Sequence, residues 1–134
     1  MEELPLPRGP GKETSADRQV SGKAKAREKT DDRMNALERK YSETLGAQLS
    51  TGHIRRWDFE PLKFRLAANT FFTPDFIVIE NDGSITAIEV KGFLRDDAAV
   101  KFKVAAAMYP WLYWVMVKKR AKKHGGGWET IYEI

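Results

Sequence analysis

The chain has 134 residues, with 42% hydrophobic and 31% charged residues and a formal net charge of +4; that is room for one domain around a single core. It has no cysteine, which excludes disulfides, zinc–thiolate centres and cysteine nucleophiles. No apolar run nears the roughly 20 residues of a membrane helix, and no continuous apolar segment marks a secretory signal, so a membrane-free cytoplasmic protein is the expectation, its positive balance leaning towards a polyanionic partner.

Residues 1–32 read as a disordered tail, with Pro5, Pro7 and Pro10 and almost no large apolar residue after Leu6. Seven basic and seven acidic residues cancel there, which leaves the excess charge on residues 33–134, the expected folded domain. Asp31 or Asp32 is expected to cap a helix running to about Leu49. Met34, Leu37, Tyr41 and Leu45 recur on its apolar face, Glu38 lies beside that stripe, and Gly46 and Gly52 weaken and end it. Ile54 to Phe59 and Leu62 to Leu66 alternate as strands, with Pro61 marking a bulge or edge. Phe71 to Glu80 reads as one strand, Asn81-Asp82-Gly83 as a hairpin turn, and Ser84 to Phe93 as the partner strand. Asp96 or Asp97 opens a helix through Val100, Val104 and Met108 that Pro110 stops. Leu112 to Val117 is a buried strand by its apolar run, and Trp128 to Ile134 a short last one. An antiparallel hairpin followed by a crossover helix requires a mixed sheet.

The chemistry-bearing residues surround the hairpin. Thr73-Pro74-Asp75-Phe76 begins one arm, and Glu89-Val90-Lys91-Gly92 ends the other. Alternate side chains of a strand share a face, so Glu89 and Lys91 point the same way. Asp75 and Glu89 stand at matched distances from the turn and meet as cross-strand neighbours. Two carboxylates and an amine then converge at the open end of the hairpin. Phosphodiester cleavage builds negative charge at phosphorus; hard divalent cations neutralise it, and carboxylate oxygens are their ligands. The Val90 carbonyl is a further candidate ligand, and a lysine beside the attacking water orients it or stabilises the transition state. Gly92 leaves room for close approach of a backbone or phosphate. Taken singly, Pro-Asp is a common turn opener and Glu-x-Lys a common solvated strand face.

Pro74-Asp75 followed by Glu89-Val90-Lys91 resembles the signature of the PD-(D/E)xK nuclease superfamily. Phe72 to Pro110 is most similar to phage endonuclease I, a junction-resolving enzyme, and to related small phage nucleases. The shared features are Thr-Pro-Asp-Phe, Glu-x-Lys-Gly, the acidic pair Asp96-Asp97 and the Tyr-Pro at the helix end. The resemblance spans roughly residues 34–118. It implies an α/β, restriction-endonuclease-like core of order αβββαβ, a central mixed sheet flanked by helices. It also implies Mg2+ or Mn2+ held by Asp75 and Glu89 with Val90, Lys91 as catalytic lysine, and a DNA substrate that includes Holliday junctions. A phage or prophage source and a homodimer, as two cuts at a junction require, are further expectations. Glu38 matches the acid that many members carry on the first helix, which completes the metal and catalytic site directly or through water, and its other reading is a solvated helix acid. Glu60 matches a further acid of endonuclease I less securely, and a structural role is favoured for it.

Lys118, Lys119, Arg120, Lys122, Lys123 and His124 form the densest basic run, ahead of Gly125 to Gly127. A mobile basic loop here suits phosphate contact; the competing role is a solvated hairpin that discourages edge pairing. Arg55, Arg56, Lys63 and Arg65 form a second basic group, and Lys101 and Lys103 lie in the second helix. His53 and His124 are too few and too far apart for a histidine metal site. The four tryptophans read as core and interface residues. A metal-dependent endodeoxyribonuclease is thus the leading expectation, and a non-catalytic DNA-binding module on a nuclease-like fold is the alternative.

Overall fold

The computed structural model describes residues 33–92 and 96–134; the expectations placed on residues 1–32 and on Phe93 lie outside them. The chain divides into two units, Met1–Met34 and Asn35–Ile134, and the second holds every element below. Its first helix, α1 (Ala36–Ser50), is capped by Asn35 and not by Asp31 or Asp32. Asn35 Oδ1 accepts the Glu38 N–H at 2.7 Å, and Glu38 Oε1 accepts the Asn35 N–H at 3.0 Å. Two orphan amides of the first turn are thereby satisfied reciprocally. Tyr41 and Leu45 form the buried face.

Seven strands follow, with one helix among them: β1 (Ile54–Phe59), β2 (Phe64–Ala67), β3 (Thr70–Phe72), β4 (Phe76–Glu80), β5 (Ile85–Lys91), α2 (Asp96–Met108), β6 (Tyr113–Lys119) and β7 (Trp128–Glu133). The expected single strand over Phe71 to Glu80 is in fact two. Pro74 has no N–H to give a ladder, and the chain changes sheets there. β3 pairs with β2 in a two-stranded sheet, whereas β4 enters a five-stranded sheet of order β1-β4-β5-β6-β7. β5 and β6 run parallel and the other neighbours antiparallel, so the sheet is mixed. The crossover between the parallel strands is α2, as such a connection demands.

The two helices cover opposite faces. Tyr41 of α1 meets Phe76, with ring centroids 5.6 Å apart. Its neighbour Ile77 points the other way, level with Ala87 and, across β5, with Trp114. Phe102 of α2 packs on Trp114 at 6.2 Å. Phe102, Ala105, Ala106, Trp114 and Met116 make the core beneath α2, the alanines letting the helix approach closely. Each fully buried side chain of Phe102's kind contributes about 1.5–3 kcal/mol. Trp114 Nε1 donates to the Tyr109 carbonyl at 2.9 Å, which satisfies its polar edge. Val100, Val104 and Met108 lie on the exposed side of α2, and Trp111 is 66% exposed, so the tryptophans are not uniformly core.

Candidate active site

The hairpin register sets the site. Phe76 stands opposite Ile88, so Asp75, the residue before, comes level with Glu89. At the far end Gly83, at φ 89°, makes the tight turn, and its N–H donates to the Glu80 carbonyl at 3.0 Å. Asp75 and Glu89 are both buried, at 6% and 7% exposure. Each is gripped from the opposite arm: the Asp75 N–H donates to Glu89 Oε1 at 3.2 Å, and the Val90 N–H donates to Asp75 Oδ2 at 2.8 Å. Lys91 Nζ lies 2.9 Å from Glu89 Oε2. The residues on the two arms therefore converge on one constellation.

Its electrostatics are those of crowded acids with too little water. Burial pushes the Asp75 carboxyl well above its ordinary range, and the charge of Glu89 adds to the push against the opposing Val90 N–H. Glu38 raises it further, by its charge and by hydrogen bonding. Burial also raises Glu89, while the hydrogen bond and charge of Lys91 pull it back. Burial alone would lower Lys91, but its bond to Glu89 and the charges of Glu89, Asp75 and Glu38 outweigh that and raise it. Glu38 is thus electrically part of the site as well as the partner of Asn35 in the helix cap.

Glu38, Asp75 and Glu89 set three carboxyl groups around one ammonium, a cluster that a divalent cation would hold ionised, and the all-oxygen donor set suits magnesium or manganese. Among the described residues, however, no three acids or histidines are arranged as a ready metal-holding group. Glu38 Oε1 is held by the Asn35 N–H, and both Glu89 oxygens by the Asp75 N–H and Lys91. The donor chemistry fits the ion, while protein donors hold these oxygens. Val90 enters the site through its N–H. Glu60 contributes backbone: its N–H, set by a left-handed φ of 48°, donates to the Asp75 carbonyl at 2.8 Å, and its side chain is exposed.

Lys118 is the register partner of Lys91 on the adjacent parallel strand. With Lys119, Arg120, Lys122, His124, Leu37, Gly92 and Glu129 it lines a cleft of about 590 Å³. Lys123 is exposed and outside that lining. The basic segment expected to be a mobile loop is a hydrogen-bonded turn, in which Ala121 O accepts from His124 and Gly126 and the Arg120 N–H donates to Gly127 O. Arg55 and Arg56 are not brought to the carboxylates. Ile54 at their end of β1 pairs with Glu80, at the turn end of the hairpin; Arg55 donates to the Asn81 carbonyl at 2.6 Å and Arg56 pairs with Asp58 at 2.7 Å. Lys63 and Lys103 sit over the rings of Phe71 and Tyr132, each at 4.5 Å. Sequence reasoning missed Asn35, although Asn-x-x-Glu ahead of an apolar stripe is a legible capping signal. It also missed Glu129, which no local pattern links to the site. Comparison with protein-family models finds no match, and comparison with curated proteins and with solved structures finds none either.

Proposed function

We propose that the chain is a metal-dependent endodeoxyribonuclease of the PD-(D/E)xK kind, on a restriction-endonuclease-like core. The observation that carries this is the convergence of buried Asp75 and Glu89 with Lys91 at the open end of one hairpin, its arms tied by two backbone-to-carboxylate bonds and Lys91 paired with Glu89 on the second arm. Folding alone does not call for two desolvated carboxylates side by side, a costly arrangement whose cost a cation removes. The element order supports the same reading: helix, three antiparallel strands of one sheet (β1, β4, β5), helix, parallel strand, with β2–β3 inserted and β7 added.

Bound magnesium or manganese would supply charge neutralisation at phosphorus and acidify an attacking water. Asp75 and Glu89, with Glu38 and the Val90 carbonyl, are the residues that would hold it. Lys91, raised in pKa among the acids, stays protonated at neutral pH. Beside Glu89 it is placed to donate to the water or to the phosphoryl oxygens. Water oxygen bonds to phosphorus in line, giving up a proton to solvent, as the bond to the 3′ oxygen breaks; the leaving oxygen takes a proton from solvent, and a 5′-phosphate remains. Branched DNA is a candidate substrate, and cutting it twice calls for a homodimer. The non-catalytic alternative, a DNA-binding module, draws support from the carboxylate oxygens being held by protein donors.

The test is incubation of labelled four-way junction, linear duplex and single-stranded DNA with magnesium, manganese or EDTA, alongside Lys91→Ala. Cleavage that needs the metal and drops at least about a hundredfold in Lys91→Ala is expected. Binding without cleavage under every condition would sink the enzymatic reading and favour the DNA-binding module.

A further inference from the structure

The cleft beside Lys91 is chemically one-sided. Lys118, Lys119, Arg120 and Lys122 line it with His124, and Glu129 is the one acid among its described lining residues. That acid is engaged: Arg120 Nε lies 3.3 Å from Glu129 Oε1. The walls are fixed by backbone. Lys118 and Glu129 are register partners on β6 and β7, and the turn between them is closed through glycines at φ 101°, 64° and 72°. A cleft of about 590 Å³ is of ligand-binding size, and its charge selects an extended polyanion.

Its position relative to the acids is set by the sheet. Lys91 and Lys118 are adjacent across β5 and β6, one strand spacing of about 4.8 Å apart, and β7 lies one spacing further. The cleft therefore begins about 5–10 Å from Lys91, within reach of the phosphodiesters that flank one held there.

We infer that this cleft seats the phosphodiesters next to the one being cut, so that the protein works within a nucleic acid strand and not on an isolated nucleotide ester. The assignment of a nucleic acid rests on the nuclease reading above, but the cleft's binding is separable from hydrolysis. An incoming phosphate competes with Glu129 for Arg120, so Glu129 acts as a gate on affinity.

The experiment is fluorescence anisotropy on the full chain in EDTA, where no cleavage intervenes, with a short labelled DNA strand, its duplex and an RNA strand of the same sequence over a range of KCl. Lys118→Ala/Lys122→Ala should lower the slope of log K against log salt by about 1.4 for single strands and about 1.8 for duplex. Lys118→Arg/Lys122→Arg should keep the slope. Glu129→Gln should tighten binding by a factor of about 1.5 to 5. The inference is overturned if the double alanine variant, folded by circular dichroism, binds with unchanged affinity and slope, even if the wild type cleaves DNA. Cleft-dependent binding by a wild type that cleaves nothing with added metal would uphold the cleft and remove the hydrolytic reading.

Discussion

Asp75 is the residue on which charge and burial conflict most directly. Its carboxyl is raised in the folded protein, so the native state holds a proton that the unfolded chain releases near pH 4. Above that pH the unfolded state binds fewer protons than the native one, and stability falls as pH rises until the folded value is passed. Thermal melts of the metal-free protein should therefore show a loss of stability with rising pH that Asp75→Asn reduces, the raised Glu89 carboxyl supplying the remainder. The asparagine Oδ1 can still accept the Val90 N–H, and its amide gives Glu89 and Glu38 a donor in place of a like charge. At neutral pH in EDTA we expect this variant to be more stable by about 1–3 kcal/mol, a rise of about 4–8 °C in Tm per kcal/mol, while losing cleavage. Equal or lower stability than the wild type would mean that the buried charge is already compensated.

At the scale of elements, two local devices place the site. The Asn35–Glu38 cap fixes where α1 begins and holds Glu38 on its first turn. Asn35→Ala should cost about 1 kcal/mol, seen as a fall of about 4–8 °C in Tm. The turn after β6 depends on glycines in left-handed conformation, so Gly126→Ala should cost about 1–2 kcal/mol and weaken oligonucleotide binding in EDTA; unchanged binding would detach that turn from the cleft. The hairpin itself was legible, because Asn-Asp-Gly marks the turn and period-2 alternation fixes which residues share a face. The break at Thr73-Pro74 was not read, since apolar residues run on either side of it and suggest continuity. Pro74 was the available clue: a proline inside a central strand contradicts that strand. The same break ends β3 and leaves Asp75 just ahead of β4, where it is free of ladder geometry.

Across the whole molecule, the mixed sheet followed from a hairpin and a crossover helix, both local signals. What could not be read was long-range pairing. The antiparallel return of β7 brings Glu129 against Lys118, and β1 carries Arg55 and Arg56 to the opposite end of the hairpin; neither fact leaves a trace in nearby residues. The inner face of α2 is likewise made of Ala99, Phe102, Ala105 and Ala106 and not of Val100, Val104 and Met108, because the three alanines let Phe102 and the helix backbone come close to the sheet. If the carboxylates hold a cation, magnesium should raise the Tm of the wild type, with stabilisation approaching about 2.7 kcal/mol at a hundred times Kd, and should leave Asp75→Asn unmoved; a salt-like response identical in both would argue against a metal site.

Because the hairpin brings Asp75 and Glu89 together through cross-strand register, the interval of fourteen positions between them in sequence carries no chemical information. Adding a residue pair to both arms, or changing the turn beyond Glu80 and Ser84, would lengthen the interval and leave the acids level. Losing one residue from a single arm would turn every side chain beyond it to the wrong face. Kindred chains should therefore diverge freely in the length of this interval and hardly at all in its parity about the turn, and a search for them does better to fix the faces than the spacing.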